Sequence, residues 1–147
     1  MREYLTFRIG SEEYAIDILR VQEIRGYSAM TRIANTPPSV KGVVNLRGLI
    51  VPVVDLRLCL AADRLSKDED TVTIVLDLDK RVVGAMVDGV SDVLSLDAGD
   101  IRPAPQMRLT STADSILGIA CLAEGTDHRM LAVLDIEHLL SHADTGL

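Results

Sequence analysis

The amino-acid sequence predicts an all-β chain built from two copies of one strand-rich unit, with few and short helices. Three observations predict it: apolar residues that alternate near the N-terminus, the return of that pattern 69 positions later, and a further pair of matching strands downstream of each copy. Alternation with a period of two is what a strand with one covered face requires. Turn signals set close together argue for an antiparallel barrel or sandwich rather than alternating β-α-β units.

The first element is a hairpin. Leu5, Phe7 and Ile9 alternate with Thr6 and Arg8, Gly10-Ser11-Glu12 supplies a turn, and Tyr14, Ile16 and Ile18 resume the alternation. Displaced by 69 positions without a gap, the pattern reads Ile74, Leu76 and Leu78, a polar turn at Asp79-Lys80-Arg81, then Val83, Ala85 and Val87. Val21 and Ile24 meet Val90 and Val93, although Leu19 falls on Asp88 and Asp17 on Met86. Farther on, Val40, Gly42, Val43 and Leu46 match Ile116, Gly118, Ile119 and Leu122 at a slightly larger offset, as a lengthened loop would give. The run Ile50-Val51-Pro52-Val53-Val54-Asp55-Leu56 matches Met130-Leu131-Ala132-Val133-Leu134-Asp135-Ile136. Asp135 is suited to cap a closing helix with Ile136, Leu139 and Leu140 on one face, and Asp55 with Leu56, Cys59 and Leu60 is its weaker counterpart. Residues 65–71, with the run Lys67-Asp68-Glu69-Asp70, read as a solvated linker. They divide a single domain of residues 1–147 into approximate halves, 1–66 and 67–147.

Composition sets the outer limits. The chain has 147 residues, 48% of them apolar and 25% charged, enough apolar material for a sizeable core in one compact body, with no room for a further catalytic or regulatory domain. The apolar stretch Leu49 to Val54 is interrupted by Pro52, and no apolar run in the sequence approaches the roughly 20 residues a membrane span needs. The N-terminus enters the alternating pattern directly, without the basic start and apolar run of a secretory signal, so a cytoplasmic location is expected. A net charge of −7, with its four aromatics (Tyr4, Phe7, Tyr14 and Tyr27) confined to the N-terminal part, argues against a nucleic-acid partner. Residues 1–58 hold eight Lys and Arg against six Asp and Glu, while the remainder holds seven against sixteen, so the two halves present different fields to different partners.

Reactive constellations are scarce. His138 and His142 share one face of the closing helix, but no third metal ligand is signalled, and Leu139 stands where a zinc-protease helix would carry its glutamate. Their ordinary reading is surface histidines that favour the C-terminal end of a helix. Cys59, between two leucines, and Cys121, beside Leu122, read as buried, inert thiols. Gly10, Gly26, Gly42 and Gly48 are isolated and read as turn or bulge residues, not as a phosphate cradle. No catalytic residue, cofactor or metal is expected. Arg47 is the exception to this quiet inventory, a lone cation in the otherwise apolar stretch around Asn45-Leu46-Arg47-Gly48. It stands either at a hairpin tip in water or against a carboxylate such as Glu23.

Taken together, Glu12-Glu13-Tyr14-Ala15-Ile16-Asp17-Ile18, Val21-Gln22-Glu23-Ile24-Arg25-Gly26-Tyr27, Thr31-Arg32-Ile33-Ala34-Asn35-Thr36-Pro37, the Asn-Leu-Arg-Gly segment, Val82-Val83-Gly84 onward to Leu96, and Ile101-Arg102-Pro103-Ala104-Pro105 resemble the CheW family of chemotaxis coupling proteins over nearly the whole chain. Ala15, where glycine is common in that family, is a small departure. The resemblance implies two intertwined five-stranded SH3-like β-barrels, with exchange of terminal strands between the halves left open. It implies a non-catalytic adaptor that bridges chemoreceptor cytoplasmic tips to the regulatory domain of a CheA-type histidine kinase, with self-association in arrays as a further option. Such a protein would be recruited to membrane receptor arrays through its partners. Carried over by position, Val21, Glu23, Gly42, Arg47, Val90 and Val93 would line or support partner surfaces, with Arg47 and Glu23 paired. The alternatives are a kinase regulatory domain or a CheV-type coupler without its receiver, against which the opening methionine and the ending soon after the closing helix favour a free-standing protein. An alternative of another class is a small thiol or metal enzyme.

Overall fold

The computed structural model describes residues 1–60, 62, 65–105 and 114–142, with the backbone alone at Glu124 and His142. Its strands are β1 (Arg2–Ile9), β2 (Glu12–Asp17), β3 (Val21–Gly26), β4 (Val40–Leu46), β5 (Leu49–Asp55), β6 (Val72–Asp77), β7 (Val82–Val87), β8 (Gly89–Leu96), β9 (Ile101–Arg102), β10 (Ile116–Glu124) and β11 (Asp127–Leu134). Two short helices, α1 (Leu56–Cys59) and α2 (Ile136–His142), follow β5 and β11. The predicted hairpins fall where the alternation placed them, except that Ile18 leaves the strand. There the Asp17 carboxylate accepts the Leu19 N–H at 3.0 Å and starts a tight turn over Ile18–Arg20. Both predicted helix caps are present: Asp55 accepts the Arg57 N–H at 3.0 Å and Asp135 the His138 N–H at 3.1 Å.

Among the described residues eleven strands form two sheets, a six-stranded one in the order β8-β1-β2-β11-β10-β9 and a five-stranded one in the order β3-β6-β7-β5-β4. The sixth strand of the larger sheet is the two-residue β9, and the lone bridge of Thr31 to Val43 occupies the corresponding place beside β4. The N-terminal hairpin of each copy is built into the sheet of the other. Thus β2 runs parallel to β11 through Tyr14–Ala132 and Ala15–Val133, and β7 runs parallel to β5 through Gly84–Val53 and Ala85–Val54. The duplication repeats even in the loops: Asp55 N–H donates to the Ser39 carbonyl at 2.7 Å, and Asp135 N–H to the Ser115 carbonyl at 2.8 Å.

This exchange brings the alternating apolar residues of both hairpins together. Leu5, Phe7, Ile16, Ile74, Leu76, Val83 and Ala85 meet Val54, Leu134 and the helix residues Leu56, Leu139 and Leu140 in one large core between the sheets. The opposite face of the six-stranded sheet packs Tyr4, Ala15, Leu131 and Val133 into a second cluster, and that of the five-stranded sheet packs Leu46, Val51 and Val75 into a third. Burial of that apolar area is the main stabilising contribution. Two expectations fail. Residues 65–71 are not a merely solvated linker, because Thr71 is buried and Ser66 and Asp68 grip a buried arginine described below. Cys121 is exposed, because its strand turns that side chain to the same face as its directly opposed neighbour Met130, beyond the reach of the core.

Candidate partner-binding surface

The hairpin joining β4 and β5 closes on two residues, Arg47 and Gly48, with φ of 53° and 92°. A two-residue hairpin with positive φ at both positions matches the right-handed twist of its strands, and glycine carries the second position without a side-chain penalty. Asn45 stabilises the turn by accepting the Gly48 N–H on Oδ1 at 2.8 Å. Arg47 is thereby held at the tip, two-thirds exposed, and its Nη2 donates to Oε1 of Glu23 at 2.5 Å. Both alternatives for this arginine are therefore true at once. The guanidinium, through its hydrogen bond and charge, holds the Glu23 carboxyl below the usual range.

Glu23 lies on β3, an edge of the five-stranded sheet, just past a bulge. Val21 faces Leu76 and Glu23 faces Val75, so Gln22 is the extra residue. Val21 packs against the large core, and Ile24, one residue beyond Glu23, is half exposed. Gly42 does not join this group. A Cβ at Gly42 would come within 2.5 Å of the Thr31 carbonyl oxygen, so glycine is what lets the segment carrying Thr31 pair with Val43. Val90 and Val93 sit on β8, an edge of the other sheet, where Val90 faces Phe7 and Val93 faces Leu5. Val90 packs on the large core and Val93 is half exposed.

Two charged clusters escaped the sequence reading. Arg57 on α1 is fully buried. It donates to Asp55 through Nε and Nη2, both at 2.9 Å, to the Ser66 carbonyl at 2.9 Å and to Asp68 at 2.8 Å. Lys41 adds a contact to Asp68 at 3.4 Å, and the Arg57 pairing holds the Asp68 carboxyl low. A buried arginine is tolerated because the cluster is fully hydrogen bonded, and among the described residues no buried side-chain polar atom lacks a partner. The available signal was Asp55-Leu56-Arg57 followed by an acidic run. In the second cluster Arg129 on β11 reaches Glu13 on β2 and Asp92 on β8. No local signal joins residues so far apart in sequence.

The side chains proposed for chemistry are poorly disposed to it. Burial pushes the Cys59 thiol up to about 11, which leaves it protonated at neutral pH and a weak nucleophile. His138 Nδ1 is 2.9 Å from the hydroxyl of Ser115, itself buried, while the side chain of His142 lies outside the described residues. No helix among the described residues is long and apolar enough to cross a membrane.

Bulged edge strands, an exposed ion pair and half-exposed apolar side chains define a β scaffold for protein partners. Comparison with known proteins gives that class a family. Residues 3–144 match the model of the CheW-like domain. The chain is 56% identical to the chemotaxis protein CheW of Klebsiella aerogenes over 99% of this chain and 86% of that one, and 35% identical to its namesake from Rhizobium meliloti over 92% and 85%. The crystal structure of the scaffolding protein TtCheW from Thermoanaerobacter tengcongensis superposes with a TM-score of 0.81 at 29% identity, covering 95% of this chain and 87% of that one. The chain belongs to the CheW-like family. It is a non-catalytic scaffold of chemotaxis signalling.

Proposed function

We propose that this scaffold couples the cytoplasmic tips of chemoreceptors to the regulatory domain of a CheA-type histidine kinase, using Val21, Glu23, Arg47, Val90 and Val93 as contacts and Gly42 as support. The observation that carries this reading is the Arg47–Glu23 pair, which ties an exposed hairpin tip to a bulged edge strand and gives a charged rim beside half-exposed apolar residues. Apolar centre and charged rim are the usual composition of a protein interface, in which the charges govern orientation and rate more than strength. With an accessible surface of 8694 Å², two faces of about 800 Å² each would occupy roughly a fifth of the molecule, so both partners can be held at once. The protein would act in the cytoplasm, reach membrane receptor arrays through its partners, and add copies of itself to such arrays. Residues 1–66 and 67–147 would serve as its two subdomains. Nucleic acid has no part in this function.

Calorimetric titration against a receptor-tip fragment and, separately, a kinase regulatory domain tests the reading. Saturable binding to both is expected, with Arg47→Ala weakening at least one of them while the melting temperature is unchanged. Absence of binding to either partner by the unsubstituted protein would overturn it.

A further inference from the structure

The two copies handle the same acidic position differently. The 69-residue displacement that superposes the hairpins also places Glu23 on Asp92, Gln22 on Ser91 and Val75 on Thr6. Both edge strands are bulged at this place: β3 slips register between Val21 and Glu23, and β8 slips where β1 passes from Leu5 to Phe7, opposite Val93 and Val90. In each copy an arginine then reaches the acid. On β3 it is the exposed Arg47, and the residue opposite Glu23 is the apolar Val75. On β8 it is the largely buried Arg129, and the residue opposite the bulge is the fully buried Thr6.

The β8 bulge is held from every side. Arg129 Nη1 donates to Oδ2 of Asp92 at 3.1 Å and Nη2 to Oδ1 at 2.9 Å, a two-pronged grip. The same guanidinium grips Glu13 through Nε at 3.0 Å and Nη2 at 2.6 Å. The Thr6 hydroxyl donates to the Asp92 carboxylate and accepts the Asp92 N–H at 3.0 Å. Backbone and side chain of the bulge residue are thus both fixed, and the fixing spans four adjacent strands, β8, β1, β2 and β11. An edge strand has a neighbour on one side only, so its bulge needs such contacts to hold one shape. Without the guanidinium, Asp92 and Glu13 would be left as two uncompensated carboxylates around Thr6.

We propose that Arg129 is a positioning residue of the partner surface on β8: by holding Asp92 and Glu13 together it sets the bulge that presents Val90 and Val93. It acts through the bulge and need not touch the partner. This inference rests on the coupling function proposed above.

The test uses the full chain in calorimetric titrations against the receptor-tip fragment and the kinase regulatory domain, together with backbone amide spectra. The variants are Arg129→Gln, Arg129→Lys, Thr6→Val and, as a stability control, Val51→Ala, which truncates the buried core of the other sheet. Arg129→Gln is expected to shift the amide signals of residues 90–93 and to weaken one partner about tenfold, the scale of coupling within one salt-bridge network. Arg129→Lys should recover part of that loss. Val51→Ala should lower the melting temperature and leave both affinities unchanged. If Arg129→Gln does not fold, Thr6→Val supplies the same readouts, since it removes the second anchor of Asp92. Binding of Arg129→Gln equal to that of the unsubstituted chain, unmoved signals at residues 90–93, or equal weakening by Val51→Ala would each overturn this inference alone. An unsubstituted chain that binds neither partner would overturn the coupling function, and this inference with it.

Discussion

At the edge of the five-stranded sheet the acid on β3 is met by an arginine that stands in solvent, whereas at the edge of the six-stranded sheet the acid on β8 is met by a partly buried one held among two carboxylates and a threonine. The two sites descend from one sequence pattern and occupy equivalent bulges, so the difference lies in the side chains around them. An exposed pair is screened by water and salt and contributes little to stability, which leaves it free to serve recognition. A network with several partners and little solvent contributes to stability and fixes geometry. The start of the helices shows the same divergence. After β5, Asp55 caps α1 and also grips the buried Arg57, while after β11, Asp135 caps α2 and the next charged residue, Glu137, pairs outward with Arg20.

The largest effect is expected at Arg57. Replacing it by leucine strands Asp55 inside the protein and should cost about 3–5 kcal/mol in urea unfolding, the usual penalty for breaking a buried ion pair from one side. Glu137→Leu, the position on α2 that the duplication equates with Arg57, should change stability little, and equal losses at the two would break the contrast. Next, Arg129→Gln should cost about 1.5–3 kcal/mol, the range for hydrogen bonds to charged groups, while Arg47→Ala leaves the unfolding midpoint where it is. A large stability loss at Arg47 would mean that the exposed clamp is structural after all.

The duplication also equates two tightly packed glycines, Gly42 and Gly118. A Cβ at Gly42 would meet the Thr31 carbonyl oxygen at 2.5 Å, and one at Gly118 would meet Ile101 Cγ2 at 2.6 Å and the Arg102 carbonyl oxygen at 2.7 Å. Alanine at either should cost about 1–3 kcal/mol by overpacking. Gly42→Ala should additionally weaken partner binding, because it displaces the hairpin that carries Arg47, whereas Gly118→Ala should act on stability alone.

Acid gives the smallest and most general test. Glu23, Asp68 and Asp92 all titrate below their ordinary values, because Arg47, Arg57 and Arg129 respectively hydrogen-bond their charged forms. Depressed carboxylates contribute stability that is fully present above their unfolded values, roughly pH 4, and is lost as pH falls through the lower folded values. The melting temperature should therefore decline below about pH 4, and less steeply in Asp92→Asn, which has lost one of these contributions. Glu23→Gln should flatten the slope less, since Glu23 meets the single exposed guanidinium of Arg47 whereas Asp92 is held by both prongs of Arg129 and by Thr6; an equal flattening by both variants would erase the distinction between the two edges.

Much of this arrangement was legible because it is local. A period-two pattern reports strands directly, an aspartate before an apolar turn reports a helix cap, and a lone arginine between two apolar strands announces a hairpin tip. Glu23 could be named as a candidate companion because the acid sits in the short stretch Val21-Gln22-Glu23-Ile24-Arg25, although β3 and β4 lie at opposite edges of the five-stranded sheet. Arg57 was missed because charged residues are rarely buried, and its burial depends on Ser66 and Asp68 folding back over α1. Cys121 was misjudged because its neighbours Ala120 and Leu122 turn to the other face of the strand and so say nothing about its own side.

The sequence by itself determined that this protein is a duplicated β scaffold, since each hairpin, bulge glycine and cap is specified within a few residues and appears twice. It also carried the family resemblance and narrowed Arg47 to a tip in water or a contact with a carboxylate such as Glu23, a choice that the fold resolved. Only the tertiary structure decided which sheet each hairpin joins, because an alternating hairpin satisfies its period equally well in its own copy or in the other. The same step decided that Arg129 finds Glu13 and Asp92, partners on β2 and β8 that become neighbours only after the exchanged hairpin aligns beside β11. Contacts of that range depend on the meeting of distant edges, where backbone hydrogen bonding, core volume and charge must all be satisfied together.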